Sequence, residues 1–163
     1  MNALAVTSPA FEDGGKIPVK YTGRGEDISP ELRLSGIDEN ARTLAVVMND
    51  IDHPIPAYNH WLLWNIPVME VIPEDIPHGE TVTGLGGAMQ GRGYGKNRYR
   101  GPKPPFNWSH RYQFDVYVLD SALNLPGSAK KRDLLAAMQG HILQQGSLTG
   151  RFRTERKHSV TES

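Results

Sequence analysis

His110-Arg111-Tyr112-Gln113-Phe114-Asp115-Val116-Tyr117-Val118-Leu119-Asp120 is the stretch whose pattern decides the fold. Successive residues of a strand point to opposite faces. The even positions, from His110 and Tyr112 through Phe114, Val116 and Val118 to Asp120, make one largely apolar face. The odd positions carry Arg111, Gln113, Asp115, Tyr117 and Leu119. The even face is expected to meet a core, with His110 and Tyr112 at its N-terminal end. Positions 60–66 read alike: His60, Leu62, Trp64 and Ile66 alternate with the equally apolar Trp61 and Leu63, so this strand should be covered on both faces. Positions 44–50 place Leu44, Val46, Met48 and Asp50 on one face. Three strands thus carry an ionisable residue at one end of an apolar face, the arrangement that lines a pocket at the rim of a core.

Working outward, strands dominate the rest of the chain, with a short one expected at positions 19–21. One helix is expected late in the sequence. Ser128 is its plausible N-cap, Leu134, Leu135, Met138 and Ile142 form its apolar stripe, and Gly146 stops it. Many strands and one late helix predict a mainly β fold, an antiparallel β-sandwich with a C-terminal α-helix. One domain is expected over residues 3–154, followed by a polar tail at 155–163.

Composition narrows the function. The chain has 163 residues, of which 38% are hydrophobic, enough for one domain with a real core. Gly and Pro, 17 and 12 residues, are in excess and favour turns over a helical bundle. Eighteen basic residues balance eighteen acidic ones, which argues against a nucleic-acid partner. Cys is absent, which excludes disulfides, zinc thiolates and Cys nucleophiles. The N-terminal residues show no basic stretch ahead of an apolar run, and the longest apolar runs are five residues, so neither a secretory signal nor a membrane span is expected. A cytoplasmic location follows as an expectation.

Five segments could carry chemistry. Asp50-Ile51-Asp52-His53-Pro54 sets two carboxylates at i and i+2, able to hold a metal, share a proton or accept a cation, or merely to end a strand in a turn. Asn59-His60-Trp61 and His110-Arg111-Tyr112 bring histidines to strand ends. Positions 84–101 hold seven Gly with Arg92, Lys96, Arg98 and Arg100 and no acid. This segment reads either as a basic surface loop or as an anion-approach loop. It fails the Walker A pattern at Gln90 and Asn97 and the dinucleotide fingerprint at Met89. Gly101-Pro102-Lys103-Pro104-Pro105 is a rigid extended segment, suited to a pocket wall or to a stiff surface connection. No GxSxG elbow or HExxH signature is present.

Taken in order, Asp-x-Asp-x-Pro (50–54), His-Trp before Asn-Ile-Pro (60–67), Gly-Pro-x-Pro-Pro (101–105) and His-Arg-Tyr-x-Phe (110–114) resemble the phosphatidylethanolamine-binding protein family in its bacterial and archaeal, Raf-kinase-inhibitor-like branch. The resemblance begins near Ser8-Pro9-Ala10-Phe11 and ends near Leu148-Thr149-Gly150-Arg151-Phe152. It implies a Greek-key-type sandwich and a ligand pocket built from Asp50, Asp52, Pro54, His60, Gly101, Pro102, His110 and Tyr112. It implies no cofactor and no catalysis, but binding of a small phosphorylated or otherwise anionic ligand such as a phospholipid head group. Inhibition of a kinase or a serine protease is the alternative, and hydrolysis by the Asp and His residues a second one. The resemblance also implies a cis His53–Pro54 bond and a homodimer, with Trp108 as an exposed anchor. His53, Lys103 and Leu34 depart from the family pattern, and the first two add positive charge near the expected mouth. The segment 55–59 is short, which implies an open mouth. Because two carboxylates sit beside the anion, binding is expected to bring a proton with it and to be tighter near about pH 6 than near about pH 8.

Overall fold

A computed structural model of the chain describes residues 3–55, 58–105 and 107–154. Nine strands and one helix are found among them: β1 (Ala5–Thr7), β2 (Leu32–Ser35), β3 (Thr43–Asp50), β4 (Tyr58–Pro67), β5 (Val71–Ile72), β6 (Thr81–Val82), β7 (Ala88–Gln90), β8 (Ser109–Leu119), α1 (Lys131–Met138) and β9 (Ile142–Arg153). They form two antiparallel sheets, one of three strands in the order β1-β2-β5 and one of six in the order β6-β7-β4-β3-β8-β9. The fold is mainly β, as the strand patterns predict.

The parity of β8 and β3 explains the layers. Tyr112, Phe114, Val116 and Val118 of β8 and Leu44, Val46 and Met48 of β3 join Val6, Leu32, Leu34 and Ile72 of the small sheet in one buried cluster. The opposite face of the large sheet carries Ala45, Val47, Leu62, Trp64, Tyr117 and Leu119, and there α1 lays down Leu134 and Met138. Each of these two buried side chains contributes about 1.5–3 kcal/mol through its removal from water. Strand β4 is covered on both faces, as expected.

Three local expectations are corrected. Residues Val19–Tyr21 form a 3-10 turn, closed by the Thr22 N–H on the Val19 carbonyl, rather than a strand. In β4, Ile66 turns to the inter-sheet side with Trp61 and Leu63, not to the side of Leu62 and Trp64. A register shift opposite Ala45 and the left-handed Asn65 (φ 55°) reset the alternation there. The helix starts after Lys130, whose N–H is capped by Asp133 at 2.9 Å, and it ends at Met138. Gly140, at φ 85°, breaks it. Ile142 therefore begins β9, and Gly146 sits inside that strand opposite Val116, where a Cβ would meet the Leu4 carbonyl at 2.5 Å. Eleven paired positions along β8 outweigh a helical continuation of the stripe. Among the described residues, no helix is long and apolar enough to cross a membrane.

Candidate functional site

The C-terminal end of β3, the N-terminal part of β4 and the N-terminal end of β8 meet at one edge of the inter-sheet core. β3 brings Asp50, β4 brings His60, and β8 brings His110 and Tyr112. Asp50 ends β3 and pairs in register with both Tyr58 and Tyr112. In β4 the register slips, so that Trp61 stands opposite Met48 while Asn59 stands opposite Asn49. His60 is the extra residue of a bulge, which lets it turn to the same side as Trp61. Strict alternation would have sent the two to opposite faces. His110 and Tyr112 come from the even face of β8.

Together they floor a cavity of about 250 Å³, lined also by Gly101, His53, Tyr94, Arg100 and Lys103. The floor is a hydrogen-bonded frame. Asp50 is buried; its Oδ2 accepts the Nδ1–H of His110 at 2.7 Å and its Oδ1 accepts the Asp52 N–H at 2.9 Å. His60 Nδ1 lies 2.7 Å from the Arg100 carbonyl oxygen. A carbonyl only accepts, so Nδ1 carries the proton and Nε2 is left with its lone pair in the neutral ring. Burial holds the His60 pKa below the ordinary histidine value, against the pull of the Arg100 carbonyl and the Asp50 charge. Burial, reinforced by the Asp50 charge, pushes the Tyr112 phenol well up, so its hydroxyl is a neutral donor. Aromatic rings continue the wall outward: Tyr112 to His60 at 5.4 Å, His60 to Tyr94 at 5.0 Å, Tyr94 to Tyr58 at 5.0 Å, and His53 stacked on Tyr58 at 4.3 Å.

His60 gives one pH expectation. Its folded-state pKa lies below the unfolded value near 6.5, so its contribution to stability is present in full above about pH 6.5 and is lost as pH falls through the folded value. The stability difference between the parent protein and His60→Gln should therefore shrink from pH 7.5 to pH 5. Urea melts of both proteins at the two pH values check this; a difference that grows on acidification would refute it.

Several of the residues proposed from sequence lie elsewhere. Asp52 leaves the cavity, because β3 ends at Asp50 and the chain turns. Its carboxylate instead takes Arg111 in a two-point pair, with Nε and Nη2 each at 2.9 Å, and accepts the Arg111 N–H at 2.7 Å. Arg111 holds the Asp52 carboxyl below the usual carboxylate range. Pro54 is exposed and Pro102 is buried behind the wall, its carbonyl taken by the Gly23 N–H; neither lines the cavity. The His53–Pro54 bond is trans. The Ile55 N–H on His53 Nδ1 at 3.0 Å closes this turn without a cis peptide. Residues 56 and 57 of the short segment 55–59 lie outside the described residues, as does the tail 155–163.

Other residues join the site without having been expected. Asp27, left-handed at φ 59°, holds the wall: its Oδ1 accepts the Gly101 N–H at 2.7 Å and its Oδ2 accepts Arg98 at 2.6 Å. Tyr94 sits at φ 54° in a tight turn between Gly93 and Gly95, closed by the Lys96 N–H on the Gly93 carbonyl. A Cβ on Gly93 would lie 2.7 Å from the Trp61 nitrogen, so only glycine brings this turn against the His60 bulge. Of the basic Gly-rich segment, Arg98 and Arg100 reach the cavity while Arg92 and Lys96 are exposed away from it. Asp27 lies outside every motif quoted above, and its role depends on a contact 74 residues away in sequence. Among the described residues, no group of three or more His, Asp or Glu is placed to hold a metal ion.

Comparison with known proteins places these features in a family. Residues 7–153 match the phosphatidylethanolamine-binding protein family. A UPF0098 protein of Pyrococcus abyssi is 45% identical over 156 residues, covering 94% of this chain and 86% of its own. The crystal structure of a phosphatidylethanolamine-binding protein homologue from Chlamydia trachomatis superposes with a TM-score of 0.82 at 33% identity, over 95% of this chain and all of its own. Escherichia coli YbcL, described as a member of the mammalian family, gives 0.84 at 25% identity, over 94% of this chain and all of its own.

Proposed function

The chain belongs to the phosphatidylethanolamine-binding protein family, and from that premise we propose that it binds a small anion of the phosphate or carboxylate class in the cavity floored by Asp50, His60, His110 and Tyr112, without chemically changing it. The observation that carries this reading is the convergence of a neutral Tyr112 donor and two oriented imidazoles in a cavity whose lining holds three basic side chains, Arg98, Arg100 and Lys103, against two carboxylates, Asp27 and Asp50. About 250 Å³ suits a phosphate with a short substituent rather than a drug-sized molecule. Among the described residues, the cavity lining contains no Ser, Thr or Cys nucleophile beside a histidine.

The test is a thermal-shift titration with inorganic phosphate, ethyl phosphate and acetate. A ligand that binds only the native state raises the melting temperature by mass action. A rise that saturates with phosphate or ethyl phosphate and is smaller in Tyr112→Phe supports the reading. No shift with any of the three up to 10 mM, about the scale of weak binding at −2.7 kcal/mol, contradicts it.

A second reading, docking of a protein partner at the mouth, draws on the exposed Trp108 and Ile55, 54% and 58% accessible. A second copy of this chain is one such partner, and the mass in solution by light scattering separates a dimer from a monomer.

A further inference from the structure

We propose that Arg100, held by Tyr94, makes this cavity select phosphomonoesters over phosphodiesters. The inference rests on the anion-binding reading above and adds the class of anion and the residue that chooses it.

The cations of the cavity lining are not equivalent. Arg98 is bound at 2.6 Å to Asp27, which also holds the Gly101 N–H, so its charge is spent on the wall. Asp50 is engaged by His110 and by the Asp52 N–H. That leaves Arg100 and Lys103 lining the cavity with no carboxylate partner among the described residues. Lys103 is exposed, with its aliphatic stem lying along Gly23. The Arg100 side chain is positioned: its guanidinium lies 4.5 Å from the centre of the Tyr94 ring. Its backbone is tied on both sides of the Cα, with the N–H on the His60 carbonyl and the carbonyl on His60 Nδ1. Tyr94 in turn is fixed by its two-glycine turn and by edge contacts to Tyr58 and His60. A guanidinium held over an aromatic ring spends none of its N–H donors on a hydrogen bond there, and two of them together can bind two phosphate oxygens at once.

The selectivity follows from charge and oxygen count. A monoester carries close to two negative charges above its second pKa near 6 and offers three terminal oxygens. One of these meets the Tyr112 hydroxyl, a second an imidazole that takes up a proton as the anion binds, while the third reaches the Arg100 edge. A diester carries one charge and two terminal oxygens, and its second substituent stands where the third oxygen would be. Filling the cavity with a diester leaves the Arg100 charge partly desolvated without a partner, which is costly.

Ethyl phosphate and diethyl phosphate, titrated calorimetrically at pH 7.5 and constant ionic strength, form the matched pair. The parent protein should bind the monoester at least tenfold more tightly. Arg100→Gln should weaken the monoester about tenfold, leave the diester within about threefold, and so erase the preference. Tyr94→Leu should erase part of it and Tyr94→Phe, which keeps the ring, none. Arg92→Gln, an exposed charge change on the same segment, should leave the ratio as it is. Equal binding of the two esters by the parent, or an unchanged ratio in Arg100→Gln, overturns the assignment to Arg100 while anion binding stands. A ratio equally altered by Arg92→Gln would also overturn it, by making it a bulk-charge effect. Binding of neither ester overturns the anion-binding reading and this one with it. Melting temperatures of all variants accompany the titrations, and a folded Arg100→Gln protein is the condition for reading its ratio; if it unfolds, Tyr94→Leu carries the decision.

Discussion

Gly101→Ala should destabilise the protein by about 3 kcal/mol or more and abolish ligand binding, one of the two largest effects expected of any single change at the site. A Cβ at this position would collide with the Tyr21 carbonyl oxygen and lie 2.6 Å from Asp27 Oδ1 and 2.9 Å from the Thr22 Cα. Two of these three neighbours belong to backbone, and the third is the carboxylate that ties Arg98 and the Gly101 N–H together. The wall must therefore move away from the 20–27 segment. Moving it breaks the Gly23–Pro102 hydrogen bond and shifts the Arg100 carbonyl that orients His60. Gly84→Ala is the matching control, since nothing lies within 4 Å of its Cβ and its backbone is not in the left-handed region. That change should leave stability within about 1 kcal/mol of the parent, in either direction. Urea denaturation of the two variants distinguishes a positional effect from a general intolerance of glycine replacement.

Asp50→Ala should cost about 2–4 kcal/mol of stability and reduce affinity for ethyl phosphate at least tenfold. The carboxylate is buried and serves two donors, the His110 Nδ1–H and the Asp52 N–H. Its removal leaves both without an acceptor in a buried place, at about 1–3 kcal/mol each before relaxation. The affinity falls for a different reason: without Asp50 nothing holds the His110 ring in one orientation, so Nε2 is no longer presented to the cavity. Asp52→Ala supplies the contrast. It removes a pair with an Arg111 side chain that is 61% exposed, worth little in water, and it touches no cavity-lining atom. Stability within about 1 kcal/mol of the parent and unaltered affinity are expected there. A larger loss of affinity in Asp52→Ala than in Asp50→Ala would reverse the roles given to the two carboxylates.

The contrast between these two residues shows what the amino-acid sequence reveals and what it hides. Alternation along 110–120 identifies the inward face of β8 because both its faces are loaded, apolar on one side and mixed on the other, over eleven residues. The i, i+2 rule applied to Asp50 and Asp52 fails because it presumes that the strand continues, and β3 stops at Asp50. The stripe Leu134, Leu135, Met138 and Ile142 has helical spacing, yet only Leu134 and Met138 are buried, while Leu135 and Ile142 remain exposed. What cuts the helix short is the pairing of residues 142–153 with β8, a long-range interaction that no local periodicity encodes. His60 is legible as a strand-end histidine but not as the bulged residue that turns inward beside Trp61. Asp27, Tyr94 and Arg100 come from loops. Their placing depends on backbone torsions and distant partners, for which single residue types leave no spacing signal.

The measurement that tests the central claim most directly is calorimetric titration of the protein with ethyl phosphate at pH 6 and pH 8, each in two buffers of different ionisation enthalpy. Burial favours the neutral form of His60, and a bound anion favours its charged form, so binding should draw a proton onto the site. The predicted result, once the ligand's own charge and protonation are allowed for, is tighter binding at pH 6, a heat that depends on the buffer, a flatter pH dependence in His60→Gln, and weaker binding with the same proton uptake in Tyr112→Phe. Binding with no proton uptake, or binding that neither substitution weakens, would place the anion somewhere other than the cavity between β3, β4 and β8.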